Sequence, residues 1–183
     1  QTPMLMTQSM IEEAALLRVS AKIIERDIKG SIEAMDRRRS EARRSGIGGW
    51  YSDFKSWPEV NDRLQQLETA APDIAAVFEV GTTHEGRTIW GIRLTAPGDS
   101  ENRQRILFNG CQHAREWVAV MVPVYIAEHL IEGWDDDPEI RHFLETTEVV
   151  IVPIVNPDGY EFTYAAGGDR YWRKNRRNNS GSC

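Results

Sequence analysis

Residues 105–117, RILFNGCQHAREW, constrain the fold more than any other stretch of the chain. Ile106, Leu107 and Phe108 form a short apolar run suited to a buried strand. Asn109-Gly110 breaks that pattern, and an apolar, helix-length segment follows from Trp117. His113 and Glu116 are therefore expected where a strand ends and a helix begins. Three residues apart on a first helical turn, their side chains lie on one face, about 5–6 Å apart at Cβ. An imidazole nitrogen and a carboxylate so placed can share one Zn²⁺ at about 2.0–2.2 Å from each. The same spacing also arises by chance on solvated helix faces, so the pair alone does not define a metal site.

The 183 residues give room for one domain of ordinary size, and 40% hydrophobic with 27% charged residues reads as globular. The longest apolar run, residues 117–127, is too short to cross a bilayer and contains Pro123. Net charge is -6 but unevenly spread. Residues 1–47 hold 9 basic and 7 acidic side chains, and residues 48–183 hold 13 and 21. An acidic domain without a basic face gives no support to nucleic-acid binding. Cys111 and Cys183 do not amount to a disulfide framework, and Cys111 is expected as a small buried thiol. No basic-then-apolar leader is visible at Gln1, so either a signal has been removed or the chain begins partway into a longer one.

In chain order, residues 9–18 form an expected amphipathic helix with Ser9 as N-cap, and residues 19–24 an expected strand. Residues 25–39 place Ile28, Ile32 and Met35 on one stripe of a second helix, which Gly30 weakens by about 1 kcal/mol. Five arginines between 37 and 44 lead into Ser45-Gly46-Ile47-Gly48-Gly49. That run reads either as a solvated helix end or as an exposed linker open to a trypsin-like protease.

Ser56-Trp57-Pro58-Glu59 carries a capping-box signature for a helix running to about Ala71. Residues 76–80 and 88–94 read as a hairpin, and residues 104–108 as a third strand. Residues 117–131 form a helix in which Pro123 removes the bond to Ala119, and residues 138–144 a short one. Residues 149–155 are a buried-type strand closed by an expected turn at Asn156-Pro157-Asp158-Gly159. The order β-β-β-α-α-β predicts an α/β fold with a mixed sheet.

Arg170-Tyr171-Trp172-Arg173-Lys174 lies in a stretch without periodicity, and alone it suits a basic loop with two aromatics packed beneath. Taken with the strand that ends in Asn-Pro-Asp-Gly-Tyr, and with the earlier His-x-Arg-Glu-Trp, the chain from about residue 50 onward resembles the zinc metallocarboxypeptidases of the A/B type. The resemblance implies a carboxypeptidase-like mixed sheet with helices on both faces, here incomplete. Residues 1–47 resemble the closing part of an α/β activation segment with its basic linker, and residues 48–183 the N-terminal portion of the catalytic domain.

By the same resemblance, His113 and Glu116 match two zinc ligands. Arg173 matches the arginine that binds substrate and stabilises the oxyanion, a role suited to a permanent charge with fixed donors. Arg115 matches a substrate-binding residue, although a solvated side chain suits that position as well. The implied activity is removal of C-terminal amino acids from peptides, by a secreted precursor activated by a trypsin-like protease. The family's Asn-Arg pair, third ligand, capping Tyr and general-base Glu follow a cysteine equivalent to Cys183. This chain is therefore expected to lack the third ligand and the base, and to be inactive by itself. A truncated, non-catalytic peptide- or partner-binding homologue is the alternative. Asn178-Asn179-Ser180 is an N-glycosylation sequon, relevant if the protein is secreted.

Overall fold

The computed structural model describes residues 7–17, 27, 30, 31, 33, 34, 37, 49–98 and 101–178. The chain divides into two compact units, Gln1–Trp50 and Tyr51–Cys183. In the first, helix α1 spans Gln8–Leu16 and buries none of its residues. Its N-cap is Thr7 rather than the expected Ser9: the Thr7 backbone is extended and its hydroxyl accepts the Met10 N–H at 3.3 Å. Of the helix expected over residues 25–39, residues 30, 31, 33, 34 and 37 are helical, and Asp27 accepts the Gly30 N–H at 2.8 Å. The expected strand at 19–24 and the linker at 38–48 lie outside the described residues.

In the second unit, α2 spans Trp57–Ala70. Its Glu59 carboxylate takes both the backbone N–H of Ser56, at 2.8 Å, and the Ser56 hydroxyl, at 2.7 Å, which fixes the helix start. Four strands follow in one sheet: β1 Ala75–Thr82, β2 Thr88–Leu94, β3 Gln104–Asn109 and β4 Thr147–Val152. Helices α3, Val118–Glu132, and α4, Pro138–Thr146, form the crossover from β3 to β4, and α5, Pro157–Tyr164, follows β4.

The strand order is β1-β2-β4-β3, antiparallel except for the β3/β4 pair. Parallel pairing needs a long connection, and α3 with α4 supplies it. Phe108, Ile151, Ile92 and Val77 line up across the sheet, and Leu64, Leu67, Ala127, Leu130 and Leu144 pack against that row. The opposite row, Ala76, Arg93, Val150 and Leu107, is less covered, and Leu107 is 59% exposed. The sheet is thus the mixed α/β sheet that the strand pattern predicts.

Two local expectations differ from the structure. Residues 156–159 are not a turn but the start of α5. Asn156 accepts the Gly159 N–H at 3.1 Å, Pro157 takes the first helical position, and Tyr160 is fully buried. Its hydroxyl donates to the Lys55 carbonyl at 2.5 Å, which locks the helix down.

His113 and Glu116 are likewise not on a helical turn, because α3 begins only at Val118. Cys111 has φ of 55°, in the left-handed region, and swings the chain out of β3. The Ala114 N–H donates to the Arg173 carbonyl at 3.1 Å instead of to a helical partner. Residues 111–116 are therefore held as a loop, closed by the Glu116 N–H on the His113 carbonyl at 3.1 Å.

Pro123 lies within α3 without ending it. With no N–H at Pro123, the Ala119 carbonyl loses its helical donor. That oxygen sits so close to Gly110 that a Cβ there would approach it to 2.1 Å. Gly110 in turn donates to the Val152 carbonyl at 3.0 Å and accepts from the Val155 N–H at 3.1 Å, so the glycine joins the ends of β3 and β4.

Candidate active site

The loop after β3 and the segment after β4 both leave the carboxyl ends of parallel strands, where open α/β sheets place their ligands. There the structure brings together three of the side chains singled out by sequence. His113 Nδ1 lies 3.1 Å from Glu116 Oε2. Arg173 Nη2 lies 3.0 Å from the same Nδ1, and Arg173 Nε is 3.9 Å from Glu116 Oε1. The three side chains are 40%, 46% and 48% exposed, so the cluster is open to a ligand. At that exposure its ion pairing contributes little to stability.

Arg173 offers only donors and Glu116 only acceptors, so His113 Nδ1 stands between a permanent cation and a carboxylate, within reach of both. Among the described residues no third His, Cys, Asp or Glu joins them. Cys111 is a buried free thiol. Burial, and then the Glu116 charge, push its thiol up to about 12.

Arg115 is half-buried, and its backbone carbonyl accepts from Arg170 Nη1 at 3.0 Å. Sequence reasoning gave Arg170 no role. Its guanidinium stacks 3.6 Å over the Trp117 ring, and Trp117 stacks on Tyr164 at 4.1 Å while donating its indole N–H to Thr163 at 2.7 Å. Arg170 thereby clips the His113 loop to the Arg173 loop. Trp172 packs edge-on against Phe162 at 5.4 Å, the aromatic support expected beneath the basic loop.

Asp158, also without an assigned role from sequence, is buried and pins the β1–β2 turn. It accepts from the Thr83 hydroxyl at 2.7 Å, the Glu85 N–H at 3.0 Å and Arg87 at 2.9 Å. Burial pushes its carboxyl up, but these hydrogen bonds outweigh it and hold the group below its ordinary value. His84 sits exposed in that turn, His142 is exposed on α4, and His129 stacks on Tyr125 near the end of α3. None of the three joins His113 among the described residues.

Fold and site together define an α/β protein with an accessible His–Glu–Arg cluster at the carboxyl ends of its parallel strands. The chain belongs to the zinc carboxypeptidase family, which residues 60–183 match. It is 34% identical over 131 residues to a zinc carboxypeptidase of Saccharothrix mutabilis subsp. capreolus, covering 71% of this chain and 30% of that protein. It is 33% identical over 139 residues to the inactive metallocarboxypeptidase ecm14 of Schizosaccharomyces pombe, covering 72% and 28%. Among solved structures it resembles the carboxypeptidase A of Helicoverpa armigera, with a TM-score of 0.82 and 26% identity over 96% of this chain and 42% of that one. The chain thus spans about 30% of the length of the curated relatives it matches.

The family implies zinc, and the donor set here fits part of a zinc site. His113 Nδ1 and Glu116 Oε2 lie 3.1 Å apart, a separation consistent with two ligands at about 2.0–2.2 Å from one ion.

Proposed function

We propose that the protein is a zinc-dependent carboxypeptidase precursor that removes C-terminal amino acids from peptides. His113 and Glu116 hold the metal. Arg173 binds the scissile carbonyl and stabilises the oxyanion, and Arg115 contacts the substrate. Zinc bound there supplies a Lewis acid and a water of lowered pKa. Arg173 supplies a permanent positive charge whose donors point at the ligand pair, where an oxyanion develops. The observation that carries this reading is the placement of Arg173 Nη2 3.0 Å from His113 Nδ1, across sixty residues of chain.

On the same reading, residues 1–47 close an activation segment and residues 48–183 open the catalytic domain. The protein is secreted, and a trypsin-like protease cuts at the arginines between 37 and 44. The third ligand and general base lie outside these residues, so the chain by itself is inactive. A non-catalytic homologue is the second reading, favoured by the similarity to a relative named as inactive.

One experiment separates the two readings. Full-length protein, treated with trypsin and supplied with zinc, is assayed on a blocked dipeptide and on a longer peptide. Release of the C-terminal amino acid, with first cleavage between residues 37 and 47, supports the enzyme. A folded, zinc-loaded protein that releases nothing supports the non-catalytic homologue.

A further inference from the structure

The segment after β4 does more than start a helix. Asn156 is buried, and its amide uses both donors and its carbonyl oxygen. Its Oδ1 accepts the Gly159 N–H, which caps α5. Its Nδ2 donates to the Gln112 carbonyl at 3.2 Å and to the Lys174 carbonyl at 3.1 Å. The amide orientation follows from these partners, because the reverse would set Oδ1 against two carbonyl oxygens and the NH₂ against an N–H.

Those two carbonyls belong to the neighbours of the two residues that matter. Gln112 precedes His113, and Lys174 follows Arg173. Next to them, the Ala114 N–H donates to the Arg173 carbonyl at 3.1 Å. The His113 backbone is thus bracketed by two ties, and both reach the other loop at and just after Arg173. Gly159 shows how tightly the junction closes: a Cβ there would lie 2.7 Å from Asn156 Nδ2, 2.8 Å from the Lys174 carbonyl and 2.9 Å from Ala114 Cβ.

We infer that Asn156 is a positioning residue for the reaction, holding the His113 loop and the Arg173 loop in register through one side-chain amide. The inference rests on the proposed role of Arg173. Asn156 acts through the two backbones and touches neither metal nor substrate. Displacement of a catalytic group by about 1 Å can cost about 100-fold in rate, so the register of the two loops is worth a measurable factor.

Two substitutions separate positioning from capping. Asn156→Asp and Asn156→Ser each keep an oxygen that caps α5, and each removes the amide NH₂ that ties the two carbonyls together. In the full-length protein both are expected to retain the fold, and to lower kcat on a blocked dipeptide by between about 10- and 100-fold with KM little changed. In an Arg173→Ala background the same substitutions are expected to cost far less, because the register being lost no longer matters. Unchanged kcat in a folded variant overturns the inference. So does an equal loss in the Arg173→Ala background, and so does failure of both capped variants to fold, which marks Asn156 as structural only. If Arg173→Ala alone leaves kcat unchanged, the proposed function fails first. If Arg173→Ala lowers kcat and the Asn156 variants do not, only the positioning role fails.

Discussion

Residues 151–160 and the cluster of His113, Glu116 and Arg173 are neighbours built on opposite terms. In the first stretch every residue except Val155 is buried, and the polar groups Asn156, Asp158 and the Tyr160 hydroxyl all have partners. In the second, three charged or ionisable side chains stand nearly half-exposed, held mainly by one another. The buried stretch has the interactions that stabilise a fold, and the exposed cluster those that meet a ligand. Apart from Asn156, whose amide ties the two regions together, substitutions should therefore fail in different ways, the first region in stability and the second in chemistry.

The largest effect belongs to the buried stretch. Tyr160→Ala removes a fully buried ring and its hydrogen bond to Lys55, and should destabilise the protein by about 3–5 kcal/mol. Denaturant unfolding of the full-length protein measures it. A loss under 1 kcal/mol would erase the contrast between the two regions.

Next, on the proposed function, comes Arg173→Ala in the full-length protein, expected to lower kcat by about 10²–10³-fold while leaving stability within about 0.5 kcal/mol. The oxyanion exists only in the transition state, so the loss appears in kcat rather than in KM. Arg115→Ala, by contrast, should act mainly through KM. Steady-state kinetics on two peptide lengths separates them, and an Arg173→Ala enzyme with normal kcat returns Arg173 to the role of a solvated loop residue.

The smallest effect is a pH dependence. Asp158 is held below the ordinary carboxylate range, so the unfolded state takes up its proton first as pH falls. The stability this gives is complete above about pH 4 and is lost as pH drops through the depressed folded value. Asp158→Asn should lower stability at neutral pH and flatten its decline below about pH 4. Parallel acid-unfolding curves for the two proteins would contradict this.

The strands and long helices were legible because their signals are local. Residues 149–152 form a buried apolar run, and Ser56 with Glu59 carries a capping box that the structure reproduces. What sequence reading missed depends on partners far along the chain. Asn-Pro-Asp-Gly has the composition of a turn and equally of a capped helix start. Burial of Tyr160 against Lys55, over a hundred residues away, selects the helix. Nothing local says that the Ala114 amide is taken by Arg173, so the pair His113 and Glu116 looked helical and is not. Their convergence survived that error because the loop brings the side chains as close as a helical turn would. Gly110 reads as a strand breaker, yet its place against the Ala119 carbonyl follows only from how α3 meets the ends of β3 and β4.

The central claim is that His113 and Glu116 belong to one zinc site. Zinc content and affinity of the dialysed full-length protein, compared with its His113→Ala and Glu116→Ala variants, test it most directly. The account predicts one tightly held zinc per chain in the parent protein, and its loss or a large fall in affinity in each variant, with folding unchanged. Zinc retained at full affinity in both variants would contradict it.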